Sequence, residues 1–246
     1  MDPESHWQNI YAEKSPNSVS WFCAHDTPSL AILDTLQLTC TDPIIDIGGG
    51  SSTFVDDLLQ RGFRDITVLD ISATALDAAR ARLGPQSGTI KWVVGNVLDI
   101  DLPKRHYRLW RDRAVFHFLI EAKDRAAYLD QLKGSLVAGG DIIIATFASD
   151  GPERCSGLPV VRYDADDLHR ELGKDFALMT SRKILHKPRR ETINGSRIVT
   201  LGYRAARTTS GRYRSPTKPT ASRGDGSGNR VYFYVAFLLY AEGVAM

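Results

Sequence analysis

The residues best suited to chemistry fall at the ends of short apolar runs. In IIDIGGGSS, residues 44–52, an acidic side chain, Asp46, sits inside the run and Gly48, Gly49 and Gly50 follow at once. Consecutive glycines let a backbone turn tightly and approach a ligand with no Cβ in the way. A helix opening near Ser52 would then present its free N–H groups to that ligand. Twenty residues beyond Gly50, Asp70 ends the run TVLD, where a carboxylate can grip both hydroxyls of a ribose. Gly95-Asn96-Val97 follows KWVV, and the Asn96 carbonyl is placed to accept from an adenine amino group. A glycine turn, a ribose carboxylate and an adenine partner together specify an adenosine-bearing ligand. The third glycine of a nicotinamide fingerprint is replaced by Thr53, and no Walker lysine follows the turn. Both absences favour a ligand without a pyrophosphate or triphosphate.

These groups need a scaffold that gathers strand ends. IIDI (44–47), DITVLDI (65–71), TIKWVVG (89–95), YRLWRD (107–112) and DIIIATF (141–147) read as strands. Helical spacing marks 53–60, stopped by Gly62; 73–84, with Ser72 as N-cap and Gly84 as stop; and 125–136, ended near Gly139-Gly140. Alternation at this spacing predicts right-handed βαβ units, an α/β Rossmann-like and mostly parallel sheet with helices on both faces. Such sheets bind ligands at the carboxyl ends of their strands. SPNS at 15–18 reads as a turn, and VYFYVAFLLY (231–240) as a late strand.

Composition sets the setting. The hydrophobic share of 43% is that of a globular chain, and the apolar run at 231–241 is too short to span a bilayer. With no signal-like start and three scattered cysteines, Cys23, Cys40 and Cys155, a reducing cytoplasmic compartment is expected, without a disulfide framework, a metal site or membrane attachment. The net charge of +2 divides sharply: residues 1–181 hold 18 basic and 26 acidic side chains, whereas 182–230 hold 13 and 2. An acidic body therefore carries a basic late segment, rich in Ser, Thr, Gly and Pro, which reads as partly disordered. Its few aromatics argue against nucleic acid as a partner.

Several ordered segments carry a resemblance: His6-Trp7, Ile10-Tyr11, Ser20-Trp21, DIGGGSS (46–52), LDIS (69–72), WRDRAVFHFL (110–119) and CSGLPV (155–160). Over about 6–186 the sequence resembles the class I S-adenosylmethionine-dependent methyltransferases, in a branch similar to the lysine methyltransferase of citrate synthase. The resemblance implies a seven-stranded type of sheet, S-adenosylmethionine as cofactor, and a protein lysine or small molecule as methyl acceptor. It also implies an N-terminal lid (1–40), a cofactor-binding domain (41–186) and an atypical basic tail (187–246).

Residue by residue, it implies that Trp7, Tyr11 and Trp21 cover the cofactor. Asp46, Gly48, Gly49 and Gly50 would lie at its methionine portion, Asp70 with Ile71 at the ribose, and Asn96 with Val97 at the adenine. Arg113 and Asp112 would line the methyl donor's end. Asp112 is the first candidate to orient an incoming amine and His117 the second, for proton handling; Tyr163 and Cys155-Ser156-Gly157 follow the fifth strand, where substrate would enter. The sequence departs from the branch at Asn96, usually Asp; at Arg111, usually His; and beyond His186, where the expected last strand is replaced by text that fits a lineage extension or a shifted reading frame. These departures motivate a second expectation, an inactive cofactor-binding scaffold whose basic tail recruits partners. Oligomeric state is left open.

Overall fold

The computed structural model describes residues 2–15, 18–19 and 21–184, together with the backbone of strands at 199–200, 202–204 and 230–236. The rest of the tail, Met1, Ser20, and Pro16 and Asn17 of the SPNS turn lie outside the described residues.

The chain opens with helices α1 (Pro3–Glu13) and α2 (Thr27–Leu33), neither of which the periodicity announces. The start of α1 was nonetheless written locally. Asp2 accepts the Ser5 N–H as an N-cap, and Pro3 occupies the first turn, where its missing N–H does no harm.

An alternating body follows: β1 (Ile44–Ile47), α3 (Phe54–Gln60), β2 (Ile66–Asp70), α4 (Ala73–Leu83), β3 (Lys91–Val94), β4 (Tyr107–Arg113), α5 (Ala122–Ser135) and β5 (Leu136–Ala145). Ser72 caps α4 through the Ala75 N–H and Gly84 ends it with positive φ. Helix α5 stops earlier than Gly139-Gly140, which instead lie inside β5 beside a register irregularity against β4. After β5 come a small hairpin of β6 (Arg154–Cys155) and β7 (Leu158–Pro159), helix α6 (Ala165–Leu172) and strand β8 (Ala177–Ile184). Asp164 precedes α6 and Gly173 follows it, a start and stop readable in YDADDLHRELG.

Five parallel strands in the order β3-β2-β1-β4-β5 form the centre of the sheet. Past β5 the sheet continues through β11 (Arg230–Ala236), β10 (Gly202–Arg204), β8 and β9 (Val199–Thr200), giving nine strands where the seven-stranded type was expected. Among the described residues the two beyond seven are the short strands at 199–204, while β11 runs parallel to β5. The late strand expected at 231–240 is thus formed over 230–236.

Strand alternation distributes the core over both faces, because successive side chains point to opposite sides of a sheet. Ile44, Leu109 and Ile143 pack with Phe54 and Leu58 of α3, Leu76 of α4 and Leu33 of α2. Ile45, Ile47, Trp110, Ile142 and Ile144 pack with Tyr128 and Leu132 of α5 and Leu168 of α6. Side chains of this size, fully withdrawn from water, each contribute about 1.5–3 kcal/mol. The order reverses between β1 and β4, so the crevice outside the carboxyl ends of these strands is where such a sheet takes a ligand.

Candidate functional site

A cavity of about 450 Å³ opens at that crevice. Its floor is the turn after β1. The Gly48 and Gly49 N–H groups both donate to the Leu69 carbonyl of β2, folding the turn back against the neighbouring strand. Gly48 has φ +65°, and a Cβ there would meet Val115 Cγ2 at 2.2 Å. At Gly50, φ is +44° and a Cβ would lie 2.8 Å from Asp70 Oδ2 and 3.2 Å from the Tyr11 hydroxyl. Glycine is therefore required at both places by backbone and by space. From α4, Arg82 donates to the Ser51 and Ser52 carbonyls at 2.8 and 2.7 Å, and pairs with Asp56 of α3.

Asp70 stands at the tip of β2, on the cavity wall beside Ile71. Its Oδ1 accepts the Ser72 N–H at 2.8 Å. Burial above all, and the charge of Asp46, push its carboxyl up to about 7; backbone N–H donors, Ser72 foremost, oppose the shift without cancelling it. Its carboxylate already accepts backbone N–H groups, and its place on the cavity wall leaves it open to vicinal hydroxyls as further donors. Gly95, Asn96 and Val97 form the next part of the wall. The Asn96 carbonyl oxygen already accepts the Leu98 N–H at 3.1 Å, shaping the loop; its second lone pair and the amide nitrogen remain for a ligand.

The N-terminal segment closes the opposite side. Trp7, Tyr11 and Trp21 line the cavity; Trp21 packs edge to face with Trp7 and Tyr11, and Trp7 with Phe118. Gln8 accepts from the Ser72 hydroxyl and the Thr74 N–H, docking α1 on the start of α4. Thr53, the residue standing in place of a third glycine, donates to the Cys23 carbonyl at 3.0 Å. Arg113 donates to the Trp21 carbonyl at 3.1 Å.

Beneath this cover lies a buried charge cluster. Arg111, 1% exposed, bridges Asp46 of β1 and Asp26 at the start of α2, with its guanidinium 4.4 Å from the Phe54 ring. Burial disfavours the Asp26 charge, but Arg111 and Arg113 outweigh it and hold the carboxyl below its ordinary range. For Asp46 burial prevails over Arg111, and the carboxyl is raised.

The structure brings together most of the expected cofactor residues, but three expectations need correction. Asp46 does not line the cavity: its carboxylate is taken by Arg111, and Arg111 reaches the wall in its place. Asp112 points to the other side of β4, away from the crevice. Its carboxylate accepts the Val115 and Phe116 N–H groups and the Tyr128 hydroxyl, while Trp110 donates to that same hydroxyl. Burial raises the Asp112 carboxyl to about 6, and those donors limit the rise. His117 is 1% exposed, stacked on Phe147 at 4.7 Å, and burial drives it down to about 3, so it stays neutral. Neither Asp112 nor His117 is positioned to touch a reacting group. Cys155 lies on the cavity wall, whereas Tyr163 is buried against Phe116.

Sequence reasoning missed Gln8, Cys23, Arg82, Arg111 and Phe118 as parts of this region. A usable signal existed only for Arg111, a charged residue inside an otherwise buried strand.

Residues 44–140 match the family described as methyltransferase domain, a span from the start of β1 into β5. No curated protein matches the sequence. Among solved structures, the chain is similar to a protein studied for conversion of a disulfide bond into a thioacetal group during echinomycin biosynthesis, at 18% identity over 82% of this chain and 91% of that one, with a TM-score of 0.66. It is also similar to a SAM-dependent methyltransferase from Anabaena variabilis, at 15% identity over 80% and 90% of the two chains and a TM-score of 0.59. A third likeness is to Haemonchus contortus phosphoethanolamine N-methyltransferase 2, solved with S-adenosyl-L-methionine, at 16% identity over 63% and 38% and a TM-score of 0.50. At such identities it is the fold that is shared. Residues 44–140 thus match a methyltransferase domain, and the α/β fold around them is the one these solved structures share. Among the described residues no helix is long and apolar enough to cross a membrane, and no group of His, Cys, Asp and Glu is arranged to hold a metal ion.

Proposed function

We propose that this chain is an enzyme that binds S-adenosylmethionine in the crevice cavity and transfers its methyl group to a protein lysine or a small molecule. The observation that carries this reading is the convergence of Gly48, Asp70 and Asn96, from three adjacent strand ends, on one cavity roofed by Trp7 and Trp21. The residues present fit the cofactor: the glycine turn leaves room that a Cβ would fill, and Asp70 stands on the cavity wall where ribose hydroxyls can donate to it.

When bound, the cofactor supplies an electrophilic methyl carbon on a sulfonium, open to in-line displacement by an acceptor lone pair. The chain supplies alignment and exclusion of water, the terms that matter most when no covalent nucleophile is needed. Asp70 and Asn96 fix the adenosine end, and the aromatic cover keeps the opposite side dry. Glu121 and Asp124 stand on the cavity wall among Phe118, Ile120 and Leu158. Their carboxylates favour an acceptor that carries a cationic amine, whose proton must leave before or during transfer.

Calorimetric titration with S-adenosylmethionine and S-adenosylhomocysteine tests the reading. Micromolar binding is expected for the intact chain, and loss of at least a hundredfold for Gly48→Arg, whose side chain has no room beside Val115. A folded sample that binds neither compound would sink the proposal. Incubation with labelled cofactor and host lysate, followed by separation of protein from small molecules, identifies the acceptor class and distinguishes an enzyme from an inactive scaffold.

A further inference from the structure

Helix α2 begins with a residue of the type that caps helices, yet Asp26 makes no capping hydrogen bond with its side chain. Its carboxylate turns inward and meets Arg111, and both groups are 1% exposed. The same guanidinium meets Asp46 on β1. One cation therefore joins an element of the N-terminal cover to the strand that launches the glycine turn. It does so from the cavity wall itself, and its Nε makes no hydrogen bond. Withdrawing three charged groups from water costs stability that their attraction only about offsets, so such a cluster contributes mainly by selecting one arrangement. Arg111 takes the position usually held by His in the branch this sequence resembles, which makes the bridge a property of this chain's own residues.

We infer that Arg111 is a positioning residue, a latch that holds the cover over the bound cofactor by bridging Asp26 and Asp46. The inference rests on the cofactor reading above. Other tethers of the cover are the Thr53 and Arg113 hydrogen bonds to backbone carbonyls, the Gln8 contacts with α4, and the exposed His25 against Asp57 of α3. Among the described residues Arg111 is the one cation that joins the cover to β1 through two buried carboxylates. With the latch closed, Trp21 stays packed against Trp7 and Tyr11, and the cofactor exchanges slowly with solvent.

The test is Asp26→Asn, which keeps the shape of the side chain and leaves the Arg111–Asp46 pair intact. S-adenosylhomocysteine should bind about tenfold more weakly, with faster dissociation. Hydrogen exchange should quicken over residues 21–33, with and without ligand, while β1, β4 and β5 keep their protection. Asp26→Glu should recover at least half of the lost affinity. Arg111→Lys, which reaches one carboxylate and not both, should reproduce the loss. In turnover assays Asp26→Asn should raise the cofactor KM more than it lowers kcat. Binding by Asp26→Asn within twofold of the wild type overturns the latch while leaving the cofactor reading in place. So does exchange that quickens in β4 and β5 as much as in 21–33, or failure of both Asp26→Asn and Arg111→Lys to fold, because the cluster is then part of the body. A wild-type chain that does not bind S-adenosylhomocysteine overturns both.

Discussion

On one side of β4, Arg111 and Arg113 reach toward the cavity and the N-terminal segment; on the other, Trp110 and Asp112 are fastened beneath α5 by the Tyr128 hydroxyl. Both sides bury charge, but they treat it differently. The Asp112 carboxylate is surrounded by donors from its own neighbourhood and is complete without a ligand. The cavity side is left open: Arg111 and Asp70 both reach the cavity wall, and Arg111 Nε has no hydrogen-bond partner. A finished network serves the fold, and an unfinished one marks where a ligand belongs.

The largest effect that tests this contrast lies on the finished side. Asp112→Ala strands the Tyr128 hydroxyl and buried backbone N–H donors, at a cost of about 3 kcal/mol in denaturant unfolding. The fraction that remains folded should bind S-adenosylhomocysteine normally; a large loss of affinity in a stable variant would return Asp112 to the chemistry.

On the unfinished side the next effect is one of pH. Ribose hydroxyls donate to the ionised Asp70, so binding must expel the proton that the free carboxyl, at about 7, holds in acid. Affinity should therefore rise with pH up to that value and then level off, being about tenfold weaker at pH 6 than at pH 8. Asp70→Asn should bind weakly at every pH with a flattened profile. Arg113→Met should weaken S-adenosylhomocysteine about fivefold by releasing Trp21, and change stability by less than about 1 kcal/mol. Smallest of all should be His117→Phe. A neutral ring stacked on Phe147 gives way to another ring, unfolding free energy stays within about 1.5 kcal/mol, and turnover is retained. A steep loss of kcat would restore the imidazole to proton handling.

Much of this was legible before any coordinates. The β1 turn, Asp70 and the segment after β3 declare themselves because period-2 apolar runs ending in Gly, Asp or Asn are local patterns. What escaped depends on which face a strand residue takes and on pairs remote in sequence. Asp112 and Arg111 are neighbours in the chain, so a shift of one residue in the assigned alternation exchanges core for site. The expectation for Asp112 came from the resemblance, and its side chain lies on the core face. Asp26 and Arg111 are 85 residues apart, and nothing local announces their meeting. His117 drew notice by its chemistry, although burial among aromatic rings decided its state. Helix α1 was missed for a different reason: its Asp2 cap is present, but its apolar periodicity is weak and none of its residues is buried. Helix α6, by contrast, was legible in full, with Leu168 and Leu172 four residues apart on its buried face.

Arg82 gives the glycine turn a further property. Its guanidinium occupies the Ser51 and Ser52 carbonyls and leans on Asp56, so the segment after Gly50 is held by the following βαβ unit before any ligand arrives. A loop already ordered surrenders little conformational entropy on association. The left-handed turn at Gly48 and Gly50 is thus set once, during folding, and a ligand meets a loop already shaped.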